Sequence, residues 1–274
     1  MSNLKSVISQ CFSDGKSLLA FNIQNISHLA ILEEVSRKYD APVIAQISQK
    51  YIKFFDNIIG LKHIVDRYQS DLLFFHLDHC SDKEIIETCI HSGFASVMFD
   101  GSHTPLSENI KNSNEIFKIA NDNDCLLEVE LGSIGGVEDG FGTEESDVYS
   151  ESELLDFTSK TKYDMLALAI GNAHGFYKST KSIDIDLLKK ARDLSGDQFF
   201  VLHGGTGMPD KMIAKAISYG VIKINVSTAL KVANMESMKK YLHSEKEFNE
   251  SKYHQYLGND LSTLFSDYIK KFTL

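Results

Sequence analysis

Hydrophobic and polar positions along this chain fall into a repeating unit. A short apolar run, fit for a buried strand, is closed by a residue with chemical capacity, and a stretch of helical period follows. The runs are Ser17–Phe21, Pro42–Ile47, Leu72–Phe75, Ala95–Phe99, Cys125–Val129, Met165–Ile170, Phe199–Leu202 and Val221–Ile224. They are closed in turn by Asn22, Ser48, Asp78 with His79, Asp100, Glu130, Gly171 just before His174, His203 and Asn225. Eight strand-then-helix units in a chain of 274 residues predict an α/β fold, the (β/α)8 TIM barrel. An open doubly wound sheet has the same local pattern, but its chemistry gathers at one switch point and its first strand leads into G-x-G-x-x-G. Neither feature is present here.

One unit, Asp71–Gly93, shows the pattern closely. Leu72-Leu73-Phe74-Phe75 leads into His76-Leu77-Asp78-His79, and Ser81 with Glu84 forms an S-x-x-E capping box that predicts a helix from about Asp82. Ile85, Ile86, Cys89 and Ile90 give that helix an apolar face, and Gly93 can stop it. A second helix is expected over about Ser27–Tyr39. Pro42, Pro105 and Pro209 all fit loops or strand starts, and no linker interrupts the repeat. Residues 1–274 are therefore expected to form one barrel domain. The polar, then amphipathic segment from about 243 to 274 should add helices outside it.

Composition narrows the function. An apolar content of 43% suffices for a core, and a net charge of −10 argues against nucleic acid as a partner. No apolar run approaches the ~18 residues that a membrane span needs. The first residues carry no basic, then apolar leader. Cys11, Cys80, Cys89 and Cys125 show no C-x-x-C spacing, which fits free thiols in a reducing compartment. The expected setting is the cytoplasm, with a small molecule as ligand.

Three of the ten histidines stand apart. His79, His174 and His203 each lie just past a separate strand, where three converging imidazoles would make a zinc site with an open position. No local spacing requires that convergence. His76, three residues before His79, should face the other way on an extended chain and is read as structural. His28, His63, His91, His243 and His254 fall in helical or tail patterns, and His103 fits either role.

Glycine-rich turns supply a second kind of chemistry. Gly204, Gly205 and Thr206 follow the seventh strand, and Asn225, Val226, Ser227 and Thr228 follow the eighth. Barrels often bind phosphate there with backbone N–H groups and hydroxyls. Leu131–Thr143 carries five glycines and reads as a long surface loop or as a lid that brings Glu138 to a substrate. Lys223 has the parity of Asn225 and should point into the barrel, where a desolvated amine could form a Schiff base.

Six motifs at these strand ends resemble those of the metal-dependent (class II) ketose-bisphosphate aldolases of the fructose- and tagatose-bisphosphate type. They are HLDH, DGSH-x-P-x-x-EN, E-x-E-L-G-x-I-G-G-x-E-D-G, A-x-G-x-A-H-G-x-Y, L-H-G-G-T-G and K-I-N-V-S-T, in order from about Leu19 to Leu242. The resemblance implies reversible cleavage of a ketose (bis)phosphate to dihydroxyacetone phosphate and an aldehyde, through an enediolate whose charge zinc stabilises. It implies His79, His174 and His203 as zinc ligands, with Asp100 and Glu130 at a possible second metal. It implies Asp78 as the acid that protonates the aldehyde-derived oxygen, and Glu138 as the base that takes the proton from the hydroxymethyl carbon (C3) of dihydroxyacetone phosphate. Gly175, Gly204, Gly205, Thr206, Asn225, Val226, Ser227 and Thr228 would hold the ketose phosphate, with Asn22 and Ser48 also facing substrate. A monovalent cation (Na+ or K+) near the phosphate and a homodimer or homotetramer are common in that family.

Three positions depart from the family pattern. Ser48-Gln49-Lys50 replaces the usual Ser-x-Gly, and Ala229 stands where an acid is common. Ser227 replaces the acid of fructose-type members, which leans away from fructose bisphosphate; fructose bisphosphate, tagatose bisphosphate and a modified or deoxy sugar phosphate all stay open as substrates. Lys231, one helical turn from Ser227, is a candidate for the far anionic group of the aldehyde partner and equally a solvated helix lysine. Two rivals remain at this stage. A metallohydrolase would need His-x-His after the first strand, where Phe21-Asn22-Ile23 stands, and a non-catalytic sugar-phosphate-binding barrel would not need Asp78 or Glu138.

Overall fold

The computed structural model describes residues 3–58, 60–136, 146–175, 183–245 and 249–273. Strands β1 (Leu18–Asn22), β2 (Val43–Ser48), β3 (Leu73–Cys80), β4 (Ser96–Phe99), β5 (Leu126–Leu131), β6 (Met165–Leu168), β7 (Phe199–Leu202) and β8 (Val221–Val226) close into a barrel. Every neighbouring pair is parallel, and β1 completes the ring by pairing with β8. All eight apolar runs became strands in the expected order.

The helices described are α1 (Leu4–Ser13), α2 (Ile26–Tyr39), α3 (Gln49–Ile58), α4 (Leu61–Tyr68), α5 (Lys83–His91), α6 (Leu106–Asp122) and α7 (Glu151–Lys160). They continue with α8 (Ile185–Ser195), α9 (Asp210–Ser218), α10 (Thr228–Ser244) and α11 (Glu250–Phe272). Among the described residues, none of them is long and apolar enough to cross a membrane.

Strand parity divides the core in two. Leu19, Phe21, Val43, Ala45, Leu73, Phe75 and Leu77 belong to the cluster between barrel and helices. Leu18, Ala20, Ile44, Phe74, Met98, Met165, Ala167 and Val201 belong to a second cluster, inside the barrel, which Leu4, Ile8 and Cys11 of α1 complete from the N-terminal end. Each large side chain buried this way contributes roughly 1.5–3 kcal/mol relative to exposure. Further along the same inward positions the chemistry changes. Gln46, His76, Asp78, Glu128, Glu130, Lys223 and Asn225 are all buried. The barrel is apolar at one end and charged at the other.

Two local expectations need correction. Asp82, not Ser81, caps α5: its carboxylate accepts from the backbone N–H groups of Glu84 and Ile85. An aspartate directly ahead of the first helical residue reaches those donors better than a serine one place further back. The C-terminal segment is also simpler than a set of helices beginning near 243. α10 runs unbroken from the barrel rim to Ser244, and α11 is one helix of 23 residues lying on α10, α2 and β1. Phe265 of α11 meets Phe21 of β1 edge to face, with centroids 4.7 Å apart.

Candidate active site

The polar end of the barrel is organised by an irregularity in β3. Leu77 pairs with Val97 of β4, but the next pairing joins Cys80 to Phe99, so the register slips across Asp78 and His79. His79 takes a left-handed backbone conformation, φ 41°, which non-glycine residues seldom adopt. The slip defeats strand parity: His79 joins Asp78 at the barrel mouth instead of turning away from it. The same slip corrects the expectation for His76. It does not face away from the site; it lies inside the barrel below Asp78, fully buried.

His79, His174 and His203, from three separate strand ends, converge. Their potential ligand nitrogens lie within 4.8 Å of one another, and the rings stand edge to face at centroid distances of 4.7–5.6 Å. His79 Nδ1 lies 2.8 Å from Asp100 Oδ2, leaving Nε2 to face His203 Nδ1 at 2.9 Å. His203 Nε2 lies 2.8 Å from Glu128 Oε1. His174 is held through its backbone, whose N–H donates to Gly135 O at 2.7 Å. Three inward nitrogens, two of them backed by carboxylates, fit a divalent ion of the zinc type.

Beside them, the Asp78 carboxylate receives amide N–H groups from three strands. Asn22 Nδ2 donates at 2.7 Å, Asn225 Nδ2 at 3.2 Å and Gln46 Nε2 at 3.3 Å. Gln46 also donates to Asn22 Oδ1 at 2.5 Å, locking the pair. Sequence reasoning passed over Gln46 and Glu128, although each is a polar residue of inward parity inside an apolar run. That parity was the available signal.

A second carboxylate cluster adjoins His79. Asp100 Oδ1 accepts from Ser102 N and Oγ, and Glu130 Oε1 accepts from Ile134 N at 3.1 Å. Glu130 Oε2 is buried without a hydrogen bond and is ion-paired with His79 Nδ1 at 3.8 Å. Burial opposes charge on His79 most strongly, yet Asp100, Asp78 and Glu130 together push its imidazole up to about 10. Glu130 is pushed up to about 8, first by burial and then by the Asp100 charge. Asp100 is held below the usual carboxylate range, its hydrogen bond and charge pairing with His79 outweighing a large burial penalty. His79, Asp100 and Glu130 bring ligand atoms together as a second candidate cation group.

The two turns expected to hold phosphate are adjacent. Gly204 has φ 70°, and a Cβ there would run into Ala173 O; one on Gly205 would meet Ile224 Cγ2 at 2.6 Å. Thr206 Oγ1 accepts from Ala229 N at 3.2 Å, tying the β7 turn to the first turn of α10. Ser227 is the α10 N-cap residue without a side-chain capping bond, and its Oγ is buried and unpartnered. Thr228 opens α10, whose N-terminal dipole favours an anion. Val226 packs its side chain into the outer core, so only its backbone is available to a ligand. Ser48 ends β2, buried beside Asp78 in the strand register. Gly175 follows His174 with φ 81°, and Lys231 lies half-buried one turn into α10. His103 is exposed. Glu138 and the rest of 137–145 lie outside the described residues, as do Phe176 and Tyr177 of the sixth-strand motif. A cavity of about 350 Å3 lies at the opposite, N-terminal end of the barrel, among Lys5, Gln69, Asn123 and Asp164, away from all these groups.

The family model described as class-II fructose-bisphosphate aldolase matches residues 2–273. A sulfofructosephosphate aldolase from Alkalicoccus urumqiensis is 34% identical over 255 residues, covering 91% of this chain and 87% of that relative. A crystal structure from Coccidioides immitis, assigned as a fructose-1,6-biphosphate aldolase, superposes with a TM-score of 0.88 at 22% identity, over 98% of this chain and 96% of that one. The YdjI aldolase from Escherichia coli K12 superposes with a TM-score of 0.83 at 24% identity, over 99% and 97%.

Proposed function

The chain belongs to the class-II fructose-bisphosphate aldolase family, and on that premise we propose a zinc-dependent, reversible cleavage of a ketose phosphate to dihydroxyacetone phosphate and an aldehyde. The family makes the protein an aldolase, a carbon–carbon lyase, and its general dependence on a metal and use of sugar phosphates support the finer reading. The observation that carries the finer reading is the convergence of His79, His174 and His203 beside an Asp78 carboxylate bracketed by three amides. A zinc ion bound by those imidazoles supplies Lewis-acid stabilisation of the negative charge left on the ketose half when the C–C bond breaks.

The chain's own groups account for the remaining steps. The Gly204–Thr206 turn and the Ser227–Thr228 helix start hold the ketose phosphate, and the buried Ser227 hydroxyl gains the partner it lacks. Fixing that remote phosphate aligns the reacting carbon with Asp78. In cleavage, Asp78 takes the proton from the hydroxyl that becomes the aldehyde oxygen; in condensation it returns the proton. Asn22, Gln46 and Asn225 hold the carboxylate in line for that transfer. In condensation Glu138 is the base that removes the proton from the ketose carbon, and in cleavage its protonated form returns that proton to the carbon. Asp100 and Glu130 form the possible second cation group, and a monovalent cation (Na+ or K+) belongs near the phosphate.

Ser227 in place of an acid, together with the relative named for sulfofructosephosphate, favours a modified ketose phosphate with an anionic far end. Lys231 is the group assigned to that anion. The Schiff-base route is disfavoured because Lys223 is fully buried and ion-paired with Glu128 at 2.9 Å. A substrate panel of fructose bisphosphate, tagatose bisphosphate and sulfofructose phosphate, each assayed after chelation and again after added zinc, tests the reading. The sulfonated ketose should be cleaved fastest, and only with zinc. Activity that survives chelation, or borohydride trapping of the ketose on lysine, would overturn it.

A further inference from the structure

Below the three histidines lies a layer of buried charge that the aldol steps leave unused. Lys223 of β8 and Glu128 of β5 are both fully buried, and Lys223 Nζ meets Glu128 Oε2 at 2.9 Å. An ammonium inside a barrel persists only where a counter-charge and acceptors compensate its desolvation. Its second acceptor is His76 Nε2 at 3.3 Å, and His76 Nδ1 lies 2.8 Å from Ser96 Oγ. An ammonium only donates, so His76 Nε2 accepts and Nδ1–H donates to the serine. Burial, followed by the Lys223 charge, pushes the His76 imidazole well below its ordinary range, in keeping with that neutral tautomer.

The other Glu128 oxygen points upward and takes His203 Nε2 at 2.8 Å. A carboxylate accepts, so the proton of His203 sits on Nε2 and the lone pair on Nδ1, the nitrogen that faces His79. Asn225 Nδ2 lies 3.3 Å from the same Nε2, but the shorter, charge-assisted contact to Glu128 decides the tautomer.

We propose that Glu128 and Lys223 are positioning residues for His203: Glu128 fixes the imidazole with Nδ1 toward the metal, and Lys223 holds Glu128 in place as its acceptor. The inference rests on the metal reading of the three-histidine group. Without the Lys223 charge, Glu128 loses the partner that orients it. His203 can then adopt the tautomer that presents N–H, not a lone pair, to the ion. His76 completes the layer by accepting a second N–H of Lys223, and Ser96 holds His76 in the tautomer that can do so.

Zinc affinity, measured by competition with a chromophoric chelator, tests this in Glu128→Gln, Lys223→Met and the double variant, each shown to be folded by circular dichroism. Nitrogen-15 spectra of histidine-labelled, zinc-loaded protein report which His203 nitrogen is protonated. Each single variant should weaken zinc by about 10–100-fold. The wild type should show protonated Nε2 on His203, and the variants should lose that signature. The double variant should lose no more than the worse single, because both residues act through one imidazole. Should Lys223→Met fail to fold with Glu128 left uncompensated, the double variant removes both charges and carries the test alone. Unchanged zinc affinity with an unchanged His203 spectrum in a folded variant overturns the proposal while leaving the metal reading intact. A wild-type protein that binds no zinc overturns the metal reading itself.

Discussion

At the scale of single residues, Asp78 and His79 divide the labour: His79 holds the metal and Asp78 moves the proton. Replacing Asp78 by asparagine keeps the size of the side chain and removes its basicity. D78N should bind zinc as the wild type does and lose about 10²–10⁴-fold in kcat; a loss of zinc instead would show that Asp78 supports the metal. The metal-free site also sets a pH dependence. His79 is raised from 6.5 to about 10, so its contribution to stability is complete below 6.5 and lost as pH rises through about 10. Glu130, raised from 4.5 to about 8, acts in the same direction over its own window. Asp100, shifted down, contributes above its ordinary pKa and loses that contribution only in acid. Calorimetry of metal-free protein should therefore find Tm falling between pH 6.5 and 10; a flat or rising profile would contradict the charge arrangement. Asp78 and His79 were legible because they follow an apolar run. Glu128 and Gln46 were not singled out, since a lone polar residue inside a buried run carries no local sign of its partner on another strand. His76 was misplaced because strand parity was carried through a residue whose φ is 41°.

At the scale of elements, strand ends, caps and turns do most of the positioning. The S-x-x-E pattern at Ser81–Glu84 located the start of α5 within a residue but named the wrong cap, because Asp82 offers a better acceptor one position closer. Asp82→Ala should cost about 0.5–2 kcal/mol and lower Tm in a thermal melt, while Ser81→Ala should leave Tm unchanged. The β7 turn is stricter. Gly204→Ala combines a left-handed backbone with a clash against Ala173 O, and the left-handed conformation alone costs roughly 1–2 kcal/mol. The variant should raise KM for the ketose phosphate through a displaced turn; unchanged KM in steady-state kinetics would separate that turn from the phosphate. These glycines were legible in sequence as a turn. Their closeness to the His174 segment was not, because it depends on how β6 and β7 sit side by side.

At the scale of the whole molecule, the barrel was readable because every unit repeats the same apolar-run and helix alternation. Closure through β1 and β8 was the simplest arrangement for eight such units. The apolar N-terminal half of the interior supports the charged half, where buried groups from β1, β2, β3, β5 and β8 compensate one another. What local pattern could not supply was convergence. His79, His174 and His203 are far apart in the chain, and only the closed ring brings them together. Their shared purpose is best tested on the half-reaction that needs no knowledge of the aldehyde. Zinc-loaded protein incubated with dihydroxyacetone phosphate in deuterated water should exchange one C3 proton, seen by proton NMR, and chelation should stop the exchange. Protein with full zinc occupancy that exchanges no proton would contradict the assignment of this site to aldol chemistry.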